Sequence, residues 1–190
     1  MAAIDQVCLL YRADRERVGM AGLSAGASMA ALLATRYPER FKAVTMHSGV
    51  PSGTAHSSLS AVGAMHGRRS MKPLASSLGM MDVSLPPLLV IHGDSDAVVA
   101  NSNGRAAAQA WAKSAGAAPV AERVVQRGQR YPAHVVDFKR GGVTMATLVE
   151  VKRLAHAWSG GAPSERFSDE KGPDAARMAW AFTAKQFTRR

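Results

Sequence analysis

Short apolar runs alternate with longer stretches of helix-forming residues along most of this chain. Residues 17–21 read as a buried strand, and residues 25–37, rich in Ala, Leu and Met, read as a helix that Pro38 stops. The alternation continues with strands at 41–46 and 88–92 and an Ala-rich helix over about 101–116. Further strands are expected at 120–125, 133–138 and 143–151, and a closing helix over 174–187, with Pro173 just before it. Strands separated by helices predict an α/β fold with a mainly parallel sheet flanked by helices. The 190 residues, 47% of them hydrophobic, suffice for the core of one domain, and residues 1–190 are read as a single domain.

Residues 51–86 depart from this rhythm. They are rich in Ser, Gly and Met and show no clear period, which predicts a lid or substrate-facing insertion, or else a poorly ordered stretch. Met65, Met71, Met80 and Met81 give it either an adaptable apolar surface or isolated core fillers.

A formal net charge of +10 raises the question of nucleic acid. The cations are scattered as Arg15, Arg17, Arg36, Arg40, Arg68, Arg69, Arg105, Arg123, Arg127 and Arg130, without a long block or an interleaved aromatic series. No nucleic-acid partner is therefore expected, and the charge serves solubility or a weak attraction to anionic surfaces. Cys8 is the sole cysteine, which excludes an internal disulfide and a thiolate metal cage and leaves a buried or idle thiol. No apolar run approaches membrane-spanning length, and the start of the chain lacks the pattern of an export signal.

Chemistry enters at Gly22-Leu23-Ser24-Ala25-Gly26, a G-x-S-x-G pattern lying between the first strand and the first long helix. Glycine-rich turns of this kind are common, but strand, turn and helix follow here in the order a nucleophile elbow requires. A serine on so tight a turn needs neighbours without bulk, which Gly22 and Gly26 supply. The hydroxyl of Ser24 is then exposed at a helix start, and the backbone N–H of Ala25 is placed to stabilise an oxyanion.

An alcohol is a poor nucleophile at neutral pH, so Ser24 needs a histidine to take its proton and an acid to orient that histidine. The α/β-hydrolase order is Ser, then Asp or Glu, then His. After the apolar run 88–91 the chain reads His92-Gly93-Asp94-Ser95-Asp96. Two aspartates compete for the orienting role. Asp94 follows Gly93 at once and suits a turn-stabilising bond to its own backbone, whereas Asp96 lies further into the loop and is preferred. Of the six histidines, His47, His56, His66, His92 and His134 precede the acid or sit beside strands. His156 follows the last expected strand and opens Ala157-Trp158-Ser159-Gly160-Gly161, so it is the expected base. Trp158 either lines an acyl or alcohol pocket or simply packs.

Together these segments resemble the poly(3-hydroxybutyrate) depolymerase family of esterases, which includes feruloyl and acetylxylan esterase relatives. The resemblance runs over residues 14–161 and is carried by Val18-Gly19-Met20-Ala21-Gly22-Leu23-Ser24-Ala25-Gly26, Met46-His47-Ser48-Gly49-Val50-Pro51, Val90-Ile91-His92-Gly93-Asp94-Ser95-Asp96 and His156-Ala157-Trp158-Ser159-Gly160-Gly161. It implies a triad of Ser24, Asp96 and His156, hydrolysis of a hydroxyalkanoate or related ester through an acyl-enzyme, no metal and no organic cofactor, and export from the cell. Ala27 and Ala155 stand where the family has glycine.

A larger departure is that 23 residues precede Ser24, whereas a complete α/β-hydrolase has several strands before its elbow. That leaves room for one helix and one strand, and predicts an N-terminally shortened fold without the loop that gives the second oxyanion donor. An uncovered elbow strand invites pairing with a second subunit. The rival expectation is thus a non-catalytic interaction subunit built on the same fold. Peptidase or acyltransferase chemistry on the same triad is a third.

Overall fold

The computed structural model describes residues 2–54, 58–67 and 84–188. Its sheet has seven strands: β1 (Gly19–Leu23), β2 (Ala43–His47), β3 (Leu88–Gly93), β4 (Ala118–Pro119), β5 (Arg123–Val125), β6 (Ala133–Arg140) and β7 (Val143–Val151). They lie in the order β1-β2-β3-β7-β6-β4, with β5 also paired to β6. β1, β2, β3 and β7 are mutually parallel, while β6 runs antiparallel to β7, β4 and β5. The expected parallel sheet is therefore the part that carries the site, and an antiparallel extension widens it.

Burial explains the arrangement. All six residues of β3 are buried, as its unbroken apolar run demands of a strand covered on both faces. Leu88 and Val90 point to one face, where they meet Ala27, Ala30, Ala31 and Ala34 of helix α2 (Ala25–Arg36) and Ala107, Ala108, Trp111 and Ala112 of helix α4 (Ser102–Ser114). Leu89 and Ile91 point to the other, with Val135, Val149 and Val151 and with Ala175, Met178 and Phe182 of helix α5 (Ala175–Phe187). The small residues of α2 let its backbone lie close to the sheet.

Helix α1 (Ala2–Tyr11) comes before β1, so one helix and one strand do occupy the start of the chain, and Cys8 on it is buried. β1 forms one border of the sheet. It begins two residues later than expected and ends at Leu23, directly before the elbow. The strand expected at 120–125 is shortened to β5, Arg123–Val125, and a separate two-residue β4 precedes it; between them the Val120 N–H still donates to the Asp137 carbonyl at 2.9 Å. Within residues 51–86, helix α3 (Ser58–Met65) docks its C-terminal end on α4, where the Asn103 amide donates to the carbonyls of Ala64 and Met65 at 3.0 and 3.1 Å. His56, Met71, Met80 and Met81 lie outside the described residues, as does most of the expected lid. No described helix is long and apolar enough to cross a membrane.

Candidate active site

Parallel strands bring their C-terminal ends to one edge of a sheet, and that edge is where α/β folds place ligands. Ser24 follows β1, Asp96 lies in the loop after β3, and His156 lies in the loop after β7. All three leave the same edge.

Ser24 sits at φ +57°, ψ −121°, a backbone conformation that costs a non-glycine residue on the order of 1–3 kcal/mol. It is held there by its N–H, which donates to the His47 carbonyl at 2.8 Å across the border of β1 and β2. Gly22 has a different task. A Cβ on it would overlap the carbonyl group of Gly26 and lie 2.7 Å from the Ala27 nitrogen, so only glycine lets the first turn of α2 fold back over β1. Gly26 corrects the sequence reading, since a Cβ there would meet nothing within 4 Å. Of the two glycines, only Gly22 is required by packing. Ala25 is the first residue of α2, where backbone N–H groups have no partner within the helix.

His156 Nδ1 and Asp96 Oδ2 are 2.8 Å apart, and the Asp96 side chain is wholly buried. The two loops meet because Gly93, at the end of β3, has no side chain; a Cβ there would run into the Leu154 carbonyl, with the carbonyl carbon at 2.7 Å. Backbone bonds then join the loops, from Asp94 N–H to Val151 O at 3.0 Å and from Ser95 N–H to Leu154 O at 3.2 Å. Asp96 Oδ1 accepts the N–H groups of Val98 and Val99 at 2.9 and 2.8 Å, which leaves Oδ2 for His156. Asp94 does otherwise. It accepts from the Arg153 N–H and the Ser95 hydroxyl and pairs with Lys152, all within the two loops. The Ser24 hydroxyl makes no hydrogen bond to a described residue.

Burial alone would raise the pKa of Asp96, but it is outweighed by hydrogen bonds from His92, the Val99 N–H and His156, and the carboxyl is held far below the ordinary range. His92 was not assigned a part from the sequence. Fully buried at the end of β3, it donates Nε2–H to the Val99 carbonyl at 2.9 Å and lies 3.5 Å from Asp96 Oδ2, under the carboxylate.

His47 is the other residue that sequence reasoning set aside. Its backbone holds the elbow, and its ring holds the loop of His156. Nε2 accepts the Ser159 N–H at 3.1 Å, Nδ1 faces the Ser48 hydroxyl at 3.2 Å, and Trp158 stacks on the ring at 5.2 Å. Trp158 is therefore a packing partner of His47. Its strand, β8 (Trp158–Ser159), pairs with β9 (Ser168–Asp169) and anchors the far side of the loop. His47 and His92 were findable by one signal, the last two positions of strands that end at the edge carrying Ser24, Asp96 and His156.

Burial, then repulsion from His92 and His156, lowers the pKa of His47 to about 3. The unfolded chain takes up this proton near pH 6.5, whereas the folded chain does so only near 3. Stability from this group is thus complete above pH 6.5 and is lost as pH falls toward 3. Urea unfolding at pH 7 and pH 5 should show wild type losing about 2 kcal/mol more than His47→Gln, which has no such proton to exclude. Equal losses in the two proteins would refute a neutral, buried His47.

Residues 1–126 match the family described as Esterase PHB depolymerase. The chain belongs to that family. The match takes in Ser24 and Asp96 and ends before His156. "Probable acetylxylan esterase A" of Aspergillus fumigatus is 48% identical over 48 residues, 25% of this chain and 13% of that protein. The protein of the same name in Neosartorya fischeri is 44% identical over 54 residues, 28% of this chain and 15% of its own. Among solved structures, an acetyl xylan esterase from Aspergillus awamori superposes with a TM-score of 0.73 at 20% identity, over 95% of this chain and 64% of that one. A PHB depolymerase bound to an R3HB trimer gives 0.65 at 13% identity, over 93% and 52%. The fold of this family member is thus that of the α/β-hydrolases, and the chain spans less than two thirds of the length of these relatives.

Proposed function

We propose that the chain is a serine carboxylic-ester hydrolase acting through an acyl-enzyme, with Ser24 as nucleophile, His156 as general base and then acid, and Asp96 as the orienting carboxylate. The observation that carries this reading is the 2.8 Å bond between His156 Nδ1 and the buried Asp96, at the sheet edge where the elbow holds Ser24. The carboxylate fixes the proton on Nδ1 and leaves Nε2 free to accept the one from Ser24. Attack on the ester carbonyl gives an oxyanion, toward which the Ala25 N–H donates. Collapse returns the proton from His156 to the leaving alcohol, and water repeats the cycle on the acyl-enzyme to release a carboxylic acid. The family supports hydroxyalkanoate or related acyl esters as substrates.

Mixing the protein with p-nitrophenyl butyrate should give a burst of nitrophenol close to one equivalent. A phosphonate ester should then block the burst and leave its adduct on the peptide that contains Ser24. A folded protein with neither burst nor adduct supports the rival reading, an interaction subunit. Its contact would be β1, the border strand of the described sheet, and the exposed Leu9, Leu10 and Tyr11 of α1 offer further apolar surface.

A further inference from the structure

Helix α5 packs on β2 and β3, and no described helix covers the same face of the sheet farther along, over β7 and β6. A groove of about 690 Å³ occupies it. Its bed is apolar toward the loop of His156, where Ala133, Val135 and Val149 form it, and turns polar beyond them at Asp137, Thr147 and Lys139; its walls carry Val125 of β5 and Met178, Ala181 and Phe182 of α5. From Ala133 to Lys139 the bed runs roughly 20 Å at about 3.3 Å per residue.

The rim is cationic. Arg127 and Arg177 stand toward the catalytic end and Lys139 and Lys185 toward the other, and none of these four forms an ion pair with a described residue. The two carboxylates of the lining are already engaged: Asp137 with Arg123 and Thr147, and Asp174 with the Arg177 N–H as the cap of α5. Unpaired cations above a low-dielectric bed focus a positive field, which draws in an anion. An inorganic ion would leave the apolar bed unused, and a neutral chain would leave the cations unmatched. Nucleic acid is not favoured, because Tyr131, the groove's tyrosine, is already covered by the Arg153 guanidinium at 4.6 Å.

We propose that this groove binds a single-chain acyl carboxylate, with the tail along Val125, Val135 and Phe182 and the head between the guanidinium forks of Arg127 and Arg177. Planar guanidinium groups match a carboxylate in two parallel hydrogen bonds, which lysine does not. The arginine end abuts the loop of His156, where a Cβ on Gly160 would lie 2.6 Å from Asp174 Cα and 2.9 Å from Arg130 Nη1. Lys139 and Lys185 add to the field that draws the anion in.

Calorimetry with decanoate, acetate and 1-decanol on the whole chain tests the proposal. Decanoate should bind at least tenfold more tightly than either acetate or decanol. Arg127→Glu with Arg177→Glu should weaken decanoate tenfold or more, and so should Ala181→Trp, which fills the bed from an independent and exposed position. Equal affinity for acetate, equal affinity for decanol, or decanoate binding unchanged in both variants would overturn it. Displacement of decanoate by a single-stranded oligonucleotide at lower concentration would overturn it in favour of nucleic acid.

Discussion

Replacing Ser24 by alanine should lower kcat/KM for p-nitrophenyl butyrate by on the order of 10⁵, to the level left by binding and oxyanion stabilisation alone. The variant keeps the fold, since the elbow is fixed through the Ser24 backbone and the hydroxyl has no bond to a described residue to lose. Asp96→Asn should cost about 10³–10⁴ for a different reason. Its amide oxygen still accepts the N–H groups of Val98 and Val99, which turns the amide NH₂ toward His156. Nδ1 must then accept, the ring proton moves to Nε2, and Nε2 no longer takes a proton from Ser24. Asp94→Asn should stay within about threefold of wild type, as its bonds lie between loops that Asp96 and the backbone also hold. Steady-state kinetics on the three variants checks the set. An Asp94→Asn loss equal to that of Asp96→Asn would refute the assignment of the acid.

The second large effect is on folding. Gly22→Ala should destabilise the chain by about 3 kcal/mol or more, because the methyl group would overlap backbone of α2, which moves only if the helix leaves the sheet. Gly26→Ala, in the same motif and four residues on, should be neutral or stabilise by up to about 1 kcal/mol, since its methyl enters open space in a helix. Urea denaturation of the two variants decides the matter. Equal effects would mean that the motif acts through backbone freedom at both positions and not through the contact of β1 with α2.

Some of this was local and therefore legible. The Val143–Val151 strand, the elbow between β1 and α2, the α4 and α5 helices and the order Ser24, Asp96, His156 depend on residue types within a few positions of each other. Strand direction was not legible. An apolar run reads alike in a parallel and an antiparallel neighbour, so the turn of β6 back along β7 was invisible until the register was known.

What the sequence by itself determined is the strand-elbow-helix unit, the α/β class and the chemical identity of the three side chains at the sheet edge. Steric demands and periodicity act over short distances and leave their mark in the chain. Only the tertiary structure decided that Asp96 and not Asp94 meets His156, that His92 and His47 underlie the site, that Gly26 is free to change, and that a cationic groove lies beside α5. Each of these depends on how close residues far apart in sequence come and how much water is excluded between them, and those are properties of the packed chain.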